Sequence, residues 1–469
     1  MRIRNISRYG SSLKPRPPQQ RVFTRARASS IGMPTASRLA ALRLKCFLPL
    51  RLVDWIFEWL SQDLRRLRIP VVSNAAVREV EGSEFLETAE AEVQRAFRLL
   101  SEAAAHSSPL NVGGCIFLQT LLSRSARMRQ TVYSALAQDR RPLDVAITEP
   151  IFVLGLPRTG STLLHMLLAL DPASSTLRFW QLYSPVPVVH PDGLRARFRR
   201  WGITQQLAAI EWLVPGWRAL TDRFHEVQVD AQEEEAVLYP ACGVGLLPLI
   251  AIGGRNTEYQ AVHREDGPSK LALFRYLRRV LQLYSYAPSE GGHGAPSMRR
   301  RWILKAHYNS LWLSALRSEF PSAKLVVTVR TPLDAVQSAI SHSLALLSFV
   351  ARAGHEEVMA RQHALATYDY LVDVAHALVD VWKRGVERLV VVKYSELLAD
   401  PVATVRRVYM ELELPYDEAL GVAVSEHVAS RPQHRLGAPT KVALDALGLT
   451  EERVRTDFAE FCRVFDVCE

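Results

Sequence analysis

The chain has 469 residues, 48% of them hydrophobic and 23% charged, which fits a globular intracellular protein with a large core, and the length alone allows two or three domains. Its net charge of +10 is concentrated at one end, because residues 1–53 hold twelve Lys and Arg and no Asp or Glu. The remaining 46 basic and 48 acidic residues give a net charge of −2, so the charge balance provides no argument for nucleic-acid binding.

Residues 1–53 form a basic, acid-free leader that we expect to lie outside the core. A segment rich in Arg and Ser and free of acids is typical of a mitochondrial or plastid transit peptide. A disordered tail, or a true start at Met33, is the alternative. We therefore predict an intracellular protein, placed in the cytoplasm, or in one of these organelles if the leader is a transit peptide.

The next segments are apolar and helical in character. Residues 39–60 are interrupted by charges, so they lack the run of about 18 apolar residues that a spanning helix needs. Aromatic side chains beside basic ones at Trp55 and Trp59 allow a peripheral membrane contact near 39–60 instead. Residues 54–148 are predicted to be a helical lead-in, clearest over 85–105 and 116–137. Five scattered cysteines indicate neither a metal site nor a disulfide framework.

The stretch up to Leu170 predicts a strand over 150–154, followed by a loop and a helix. Gly155 and Gly160 have the spacing of a phosphate-binding loop, in which glycines let the backbone approach an anion. Backbone N–H groups at the start of the following helix, with the helix dipole behind them, favour an anion there. Ser161 stands where a kinase loop would have Lys, while Arg158 supplies a cation earlier in the loop.

Three further strand candidates also end in cations. These are 302–305 ending in Lys305, 324–330 ending in Arg330, and 388–393 ending in Lys393. An ATP or GTP enzyme would instead use a loop Lys and a strand-end Asp to hold Mg²⁺. The pattern favours an anionic ligand without a bridging metal, and leaves a nucleotide-dependent kinase or phosphotransferase as the alternative.

Taken together, three blocks at 155–172, 302–338 and 392–401 resemble the sulfotransferases that use 3′-phosphoadenosine 5′-phosphosulfate (PAPS), closest to the bacterial-type branch. Their order and spacing fit that family over roughly residues 80–465. The resemblance implies PAPS as co-substrate, no metal, and a small-molecule hydroxyl acceptor. The donor-binding residues that it implies are Pro157, Arg158, Thr159, Gly160, Ser161, Thr162, Arg330, Ser338, Arg431 and Arg435.

Catalysis is predicted for Lys305, Arg158 and His307. Lys305 and Arg158 are the candidate cations for the departing phosphate oxygen. The Lys-x-His pattern at 305–307 resembles the cytosolic branch of the family, which implies His307 as the base for the acceptor hydroxyl. Many bacterial-type members have Pro at the position of His307, so this chain departs from its branch there. Other bases remain open: His225, Glu226 and the acidic run Glu233–Glu235.

A non-catalytic role is favoured at three polar positions. The run Glu233–Glu235 is expected to be a solvated acidic cluster at a helix start, and His165 to pack locally. Gln181 cannot act as a base, because an amide does not take up a proton, but it can orient an acceptor.

The predicted fold is α/β: a P-loop-like, mainly parallel sheet flanked by helices, with a helical N-terminal region. Residues 149–469 are predicted to form the catalytic domain. Its insertion at about 173–298, with helix 338–352, should shape a pocket for a sterol, alcohol or phenol. The segment 449–465 is expected to pack against the sheet. A non-catalytic nucleotide-binding member of the family is a further alternative, and the sequence does not indicate an oligomeric state.

Overall fold

The computed structural model describes residues 74–107, 110–188, 193–213, 216–222, 227–245, 249, 257–286, 301–350, 356–386, 388–430 and 442–468. The leader and the segment 39–60 lie outside these ranges, so nothing here supports the transit peptide, and the membrane contact predicted there stays a prediction. In the described part of the chain, no helix is long and apolar enough to cross a membrane.

A five-stranded sheet organises the described residues, and every strand pair in it is parallel. The strands are β1 Ile151–Gly155, β2 Ser174–Ser175, β3 Arg301–Lys305, β4 Lys324–Val329 and β5 Leu389–Lys393. Their order across the sheet is β2-β3-β1-β4-β5, which places β1 in the centre. The predicted α/β class is confirmed, and the four main strands lie within one residue of their predicted bounds.

Helices surround this sheet and build the N-terminal region. Before β1 they are α1 Asn74–Glu81, α2 Ser83–Phe85, which continues as a π-helical stretch over Leu86–Glu90, α3 Ala91–Ser107 and α4 Val112–Gln138. Between β1 and β3 they are α5 Ser161–Leu168, α6 Phe179–Tyr183, α7 Leu194–Leu213, α8 Trp217–Thr221, α9 Thr257–Arg264 and α10 Pro268–Tyr286. After β3 they are α11 Leu313–Glu319, α12 Pro332–Val350, α13 Glu356–Lys383, α14 Tyr394–Ala399, α15 Pro401–Glu411, α16 Glu418–Ser430, α17 Glu451–Asp457 and α18 Ala459–Phe465.

Parallel strands buried on both faces explain the continuous apolar runs. Every residue of β1 and β4 is buried, and Ile151 lies between Ile303 and Lys324 in the register. The carboxyl ends of β3, β1 and β4 therefore meet at one edge, where Lys305, Gly155 and the residues after Val329 come together.

The C-terminal segment packs on α13. Its side chains Phe458 and Phe465 lie against Tyr368 and Trp382 of that helix, at ring-centroid distances of 6.2 and 5.9 Å. Asp466, just after α18, pairs with Lys393 at the end of β5, and the packing of 449–465 against the sheet stays a prediction. A disulfide also joins Cys462 and Cys468, a local bond that the scattered cysteine spacing did not indicate.

Candidate active site

The loop between β1 and α5 requires glycine at both ends. Gly155 has φ 132°, and a Cβ there would lie 2.4 Å from the carbonyl oxygen of Thr328. Gly160 has φ 87°, and its Cβ would lie 2.7 Å from Cδ2 of Tyr394. Both positions combine a left-handed backbone with a close neighbour, so any other residue would distort the loop.

Thr159 fixes the middle of the loop from inside. Its buried hydroxyl donates to the carbonyl of Leu156 at 2.7 Å and lies 2.6 Å from Oγ1 of Thr328 on β4. The Thr328 hydroxyl in turn lies 3.2 Å from the carbonyl of Leu154. The side chain of Thr159 is thus used to hold the loop against β4, and a ligand would meet its main chain.

Lys305 reaches the loop from the end of β3. Its buried ammonium donates to Oγ1 of Thr162, in the first turn of α5, at 3.1 Å, and forms an ion pair with Glu234. Its backbone N–H donates to Oε2 of Glu235 at 2.6 Å. The cation therefore lies beside the helix N-terminus that the sequence predicted as an anion site.

His307 lies two residues further on, at the start of the 3₁₀-helix His307–Leu311. Its Nδ1 is 3.3 Å from the carbonyl oxygen of Gly155, and its Nε2 is 4.0 Å from Oε1 of Glu234. Because a carbonyl can only accept, this contact favours the tautomer with the proton on Nδ1 and a free electron pair on Nε2. Burial, with the charge of Lys305 second, lowers the pKa of His307 to about 4.

The acidic run beside them is part of this cluster, so the expectation of a solvated group is wrong. Glu233 and Glu235 are buried, and Glu234 contacts both Lys305 and His307. Glu235 accepts from Nδ2 of Asn309 at 2.8 Å as well as from the Lys305 backbone. Burial raises the pKa of Glu235 to about 7, against these hydrogen bonds.

A second cationic cluster lies on the β4 side of the loop. Nε of Arg158 donates to Oγ of Ser338 on α12 at 3.0 Å, and Nη1 of Arg330 donates to the carbonyl of Arg158 at 3.2 Å. Arg330 also lies 4.6 Å from the ring centroid of Tyr394 and 3.2 Å from Asp334. Burial and then the charge of Arg330 lower the pKa of Arg158. A buried cation beside a second cation favours an anion bound between the two side chains.

The other predicted residues make contacts of a different kind or lie outside the described residues. Gln181 caps α6, since its Oε1 accepts from the backbone N–H of Arg178 at 2.8 Å. His165 is buried with Nε2 3.3 Å from the carbonyl of Ile303, so it packs locally as expected. Lys393, the third strand-end cation, pairs with Asp466 at 2.6 Å. Four predicted residues lie outside the described ranges, so their roles stay predictions: His225, Glu226, Arg431 and Arg435.

The sequence did not single out Asn309 or Tyr394, and it favoured a solvated cluster for the run that contains Glu234. The run of three Glu was visible, but its contact with β3 was not, because about 70 residues separate them. In the described ranges, no group of three His, Cys, Asp or Glu is placed to hold a metal ion.

Comparison with known proteins identifies the family. The model of the sulfotransferase family matches residues 150–418, more than half of the chain and all of the loop and strand-end clusters. The chain belongs to the sulfotransferase family. Its relatives place it in the bacterial-type branch: the omega-hydroxy-beta-dihydromenaquinone-9 sulfotransferases Stf3 of Mycobacterium bovis and Mycobacterium tuberculosis are each 27% identical over 319 residues. Those alignments span 63% of this chain and 71% of each relative.

Solved sulfotransferase structures share the fold. STF9 from Mycobacterium avium superposes with a TM-score of 0.66 at 23% identity, over 81% of this chain and 97% of that one. STF1 from Mycobacterium tuberculosis H37Rv superposes with a TM-score of 0.62 at 24% identity, over 84% of this chain and all of that one. At these identities the likeness concerns the fold of the sulfotransferase, and the roles of its residues rest on the geometry above.

Proposed function

We propose that this sulfotransferase moves the sulfuryl group of PAPS to a hydroxyl of a hydrophobic, lipid-like acceptor. One observation carries the proposal: the Lys305 ammonium lies 3.1 Å from Thr162 at the N-terminus of α5, with His307 beside it. A cation for the leaving group and a neutral base thus stand together at the predicted anion site.

The donor would lie across the carboxyl ends of β1 and β4. Its 5′-phosphosulfate would take the loop N–H groups and the hydroxyls of Ser161 and Thr162, at the positive end of α5. Its 3′-phosphate would take Arg330, whose planar guanidinium suits a phosphate, together with Ser338 and Arg158.

In the reaction, the acceptor oxygen forms a bond to sulfur while the bond from sulfur to the bridging oxygen of the 5′-phosphate breaks. The electron pair of that bond goes to the phosphate oxygen, where Lys305 and Arg158 would stabilise the developing negative charge. The acceptor proton goes to the base. For Lys305 to serve the leaving group, its ammonium must turn from Glu234 towards the donor, a short movement because Thr162 already holds it at the loop.

We assign the base to Nε2 of His307. With its pKa near 4 the ring is neutral at pH 7, and with Nδ1 turned to Gly155 its free electron pair is on Nε2. The Glu234 carboxylate, 4.0 Å away, would stabilise the imidazolium that forms. In this scheme Glu234 assists His307; direct proton transfer to Glu234 is the competing assignment.

The acceptor side is formed by the insertion between β2 and β3. This part of the chain supplies Glu234 and Glu235, which contact Lys305. The two mycobacterial relatives are named for a menaquinone-derived hydroxyl acceptor. A hydrophobic alcohol therefore fits these relatives better than an acidic polysaccharide, which would need a basic groove.

Two measurements test the proposal. A thermal shift should show stabilisation by 3′-phosphoadenosine 5′-phosphate, the product nucleotide, and little by ATP with Mg²⁺. Mass spectrometry of reactions with PAPS and a pool of long-chain isoprenoid alcohols should then find products heavier by one sulfuryl group. Stabilisation by ATP with Mg²⁺ alone would favour a phosphotransferase, and nucleotide binding without transfer to any acceptor class would favour a non-catalytic member.

A further inference from the structure

Helix α7, Leu194–Leu213, has apolar side chains on two opposite faces. One face packs into the molecule through Ala196, Ile203 and Leu207, which are all buried. The other face is open: Leu194, Phe198, Trp201 and Trp212 are 84, 70, 55 and 78% exposed. We name these four residues the α7 stripe.

The geometry of the helix aligns the stripe. At about 100° per residue, its four members fall within an arc of roughly 60°, and the buried face lies about 180° away. The rings of Phe198 and Trp201 are 5.6 Å apart between centroids. Single exposed apolar residues are ordinary, but two Trp, one Phe and one Leu in a row along one helix mark an interaction surface.

Positive charge borders the stripe. The helix holds four Arg and one Glu. Arg199 donates to the carbonyl of Val186 at 2.6 Å and Arg200 pairs with Asp230 at 3.0 Å, so both are tied to the body of the protein.

The other two arginines, Arg195 and Arg197, are exposed and lie on either side of the stripe. The single acid, Glu211, accepts from the backbone N–H groups of Gly216 and Arg218, and it lies on the flank of the helix, about 110° from the middle of the stripe.

A chain of packing contacts and hydrogen bonds connects the stripe to the proposed acceptor side of the site. The buried face of α7 packs with Phe179 and Trp180 of α6. The backbone N–H groups of these two residues donate to the carbonyls of Ala231 and Val229, in the segment that leads directly to Glu233 and Glu234. A surface held by α7 would therefore lie next to the part of the chain that meets the acceptor.

We propose that the α7 stripe docks this protein on the surface of an anionic lipid bilayer. Aromatic and aliphatic side chains in one row enter the boundary between headgroups and acyl chains, and flanking arginines bind the anionic headgroups. This is the charge and ring pattern of an interfacial helix. It assigns membrane contact to residues 194–213, whereas the sequence alone suggested 39–60.

Vesicle flotation with the full chain tests the proposal without using its catalytic activity. The vesicles contain phosphatidylcholine and phosphatidylglycerol at about 7:3, or phosphatidylcholine alone, at physiological salt. The variant Phe198→Ser with Trp201→Ser and Trp212→Ser should bind the anionic vesicles at least about 10-fold more weakly than wild type, because three anchors are lost. The matched control changes three exposed apolar residues elsewhere, Leu398→Ser, Met410→Ser and Val422→Ser, and should bind as wild type.

A second variant tests the charges. Arg195→Gln with Arg197→Gln should weaken binding to the anionic vesicles by about 10-fold or more, with little change on neutral vesicles. Its control is Arg98→Gln with Arg127→Gln, two exposed arginines of the lead-in helices. Each variant is compared with wild type in thermal unfolding, since surface changes should leave the fold intact.

Three results would overturn the proposal. Wild type could fail to float with anionic vesicles. Alternatively, the stripe and charge variants could float as well as wild type, which would place the binding in the basic leader, residues 1–53. Finally, light scattering could show a wild-type dimer that the serine variant dissolves, with no vesicle binding, which would make the stripe a surface for a second copy.

Discussion

His307 provides a sharp prediction about pH. Burial, and then the neighbouring Lys305 ammonium, lower the pKa of its ring to about 4, while Glu234 acts in the opposite direction. A base works only when it is neutral. At pH 5.5 about 97% of a ring with pKa 4 is neutral, compared with about 9% of an unperturbed ring of pKa 6.5.

We therefore expect kcat/KM, which reports the free enzyme, to fall by less than about 10% between pH 7.5 and 5.5. The assay is the initial rate of sulfation at subsaturating acceptor. Each sample is returned to pH 7.5 afterwards, so that acid inactivation is separated from titration. A roughly 10-fold loss by pH 5.5 with full recovery, seen also in Glu235→Gln, which removes the neighbouring carboxyl of pKa about 7, would show that the ring titrates normally and would refute the argument from burial. If His307→Ala lost activity to the same extent over this pH range, His307 would not be the group whose titration causes the loss.

The remaining predictions concern leaving group, donor and stability. Lys305→Ala should lower kcat at least about 100-fold in steady-state kinetics, with a smaller change in the affinity for the product nucleotide. Arg330→Ala should weaken that affinity in calorimetry by about 10-fold or more, and an unchanged affinity would move the 3′-phosphate elsewhere. Glu90→Gln should cost about 3–5 kcal/mol in denaturant unfolding, because it leaves Arg129 charged and buried without its bidentate partner. Burial lowers the pKa of His363 to about 4, below its unfolded value, so its contribution to stability is lost as the pH falls from about 6.5 to 4. The free energy of unfolding of His363→Met, measured relative to wild type, should therefore be about 2 kcal/mol higher at pH 5 than at pH 7. An equal difference at both pH values would contradict this.

The placement of the loop and of the strand-end cations could be anticipated from the sequence because its signals are local. The spacing of Gly155 and Gly160 reflects two backbone positions where a Cβ cannot fit. Lys305 and Arg330 follow apolar runs that had to be buried parallel strands, and parallel strands bring their carboxyl ends to one edge. The glycine spacing and the ends of the apolar runs were therefore enough to predict that these four residues lie close together.

The acceptor side could not be anticipated in the same way. Glu234 and Glu235 gain their roles from contacts with β3 about 70 residues later, and no local period records such a contact. An acidic run at a helix start has the same sequence whether it is solvated or buried. The α7 stripe was missed for a related reason, because a helix that is apolar on two faces gives no single hydrophobic side.

In the strand order β2-β3-β1-β4-β5, the two sides of the candidate site come from different segments of the sequence. The described contacts of Arg330 come from the loop after β1, from α12 and from Tyr394 after β5, whereas Glu234 and α7 belong to the insertion before β3. Exchange of residues 173–298 with the matching segment of a relative should therefore transfer the choice of acceptor and leave nucleotide affinity in place. Lys305 and His307 both contact Glu234 across this division, so these contacts must be preserved in any such chimera.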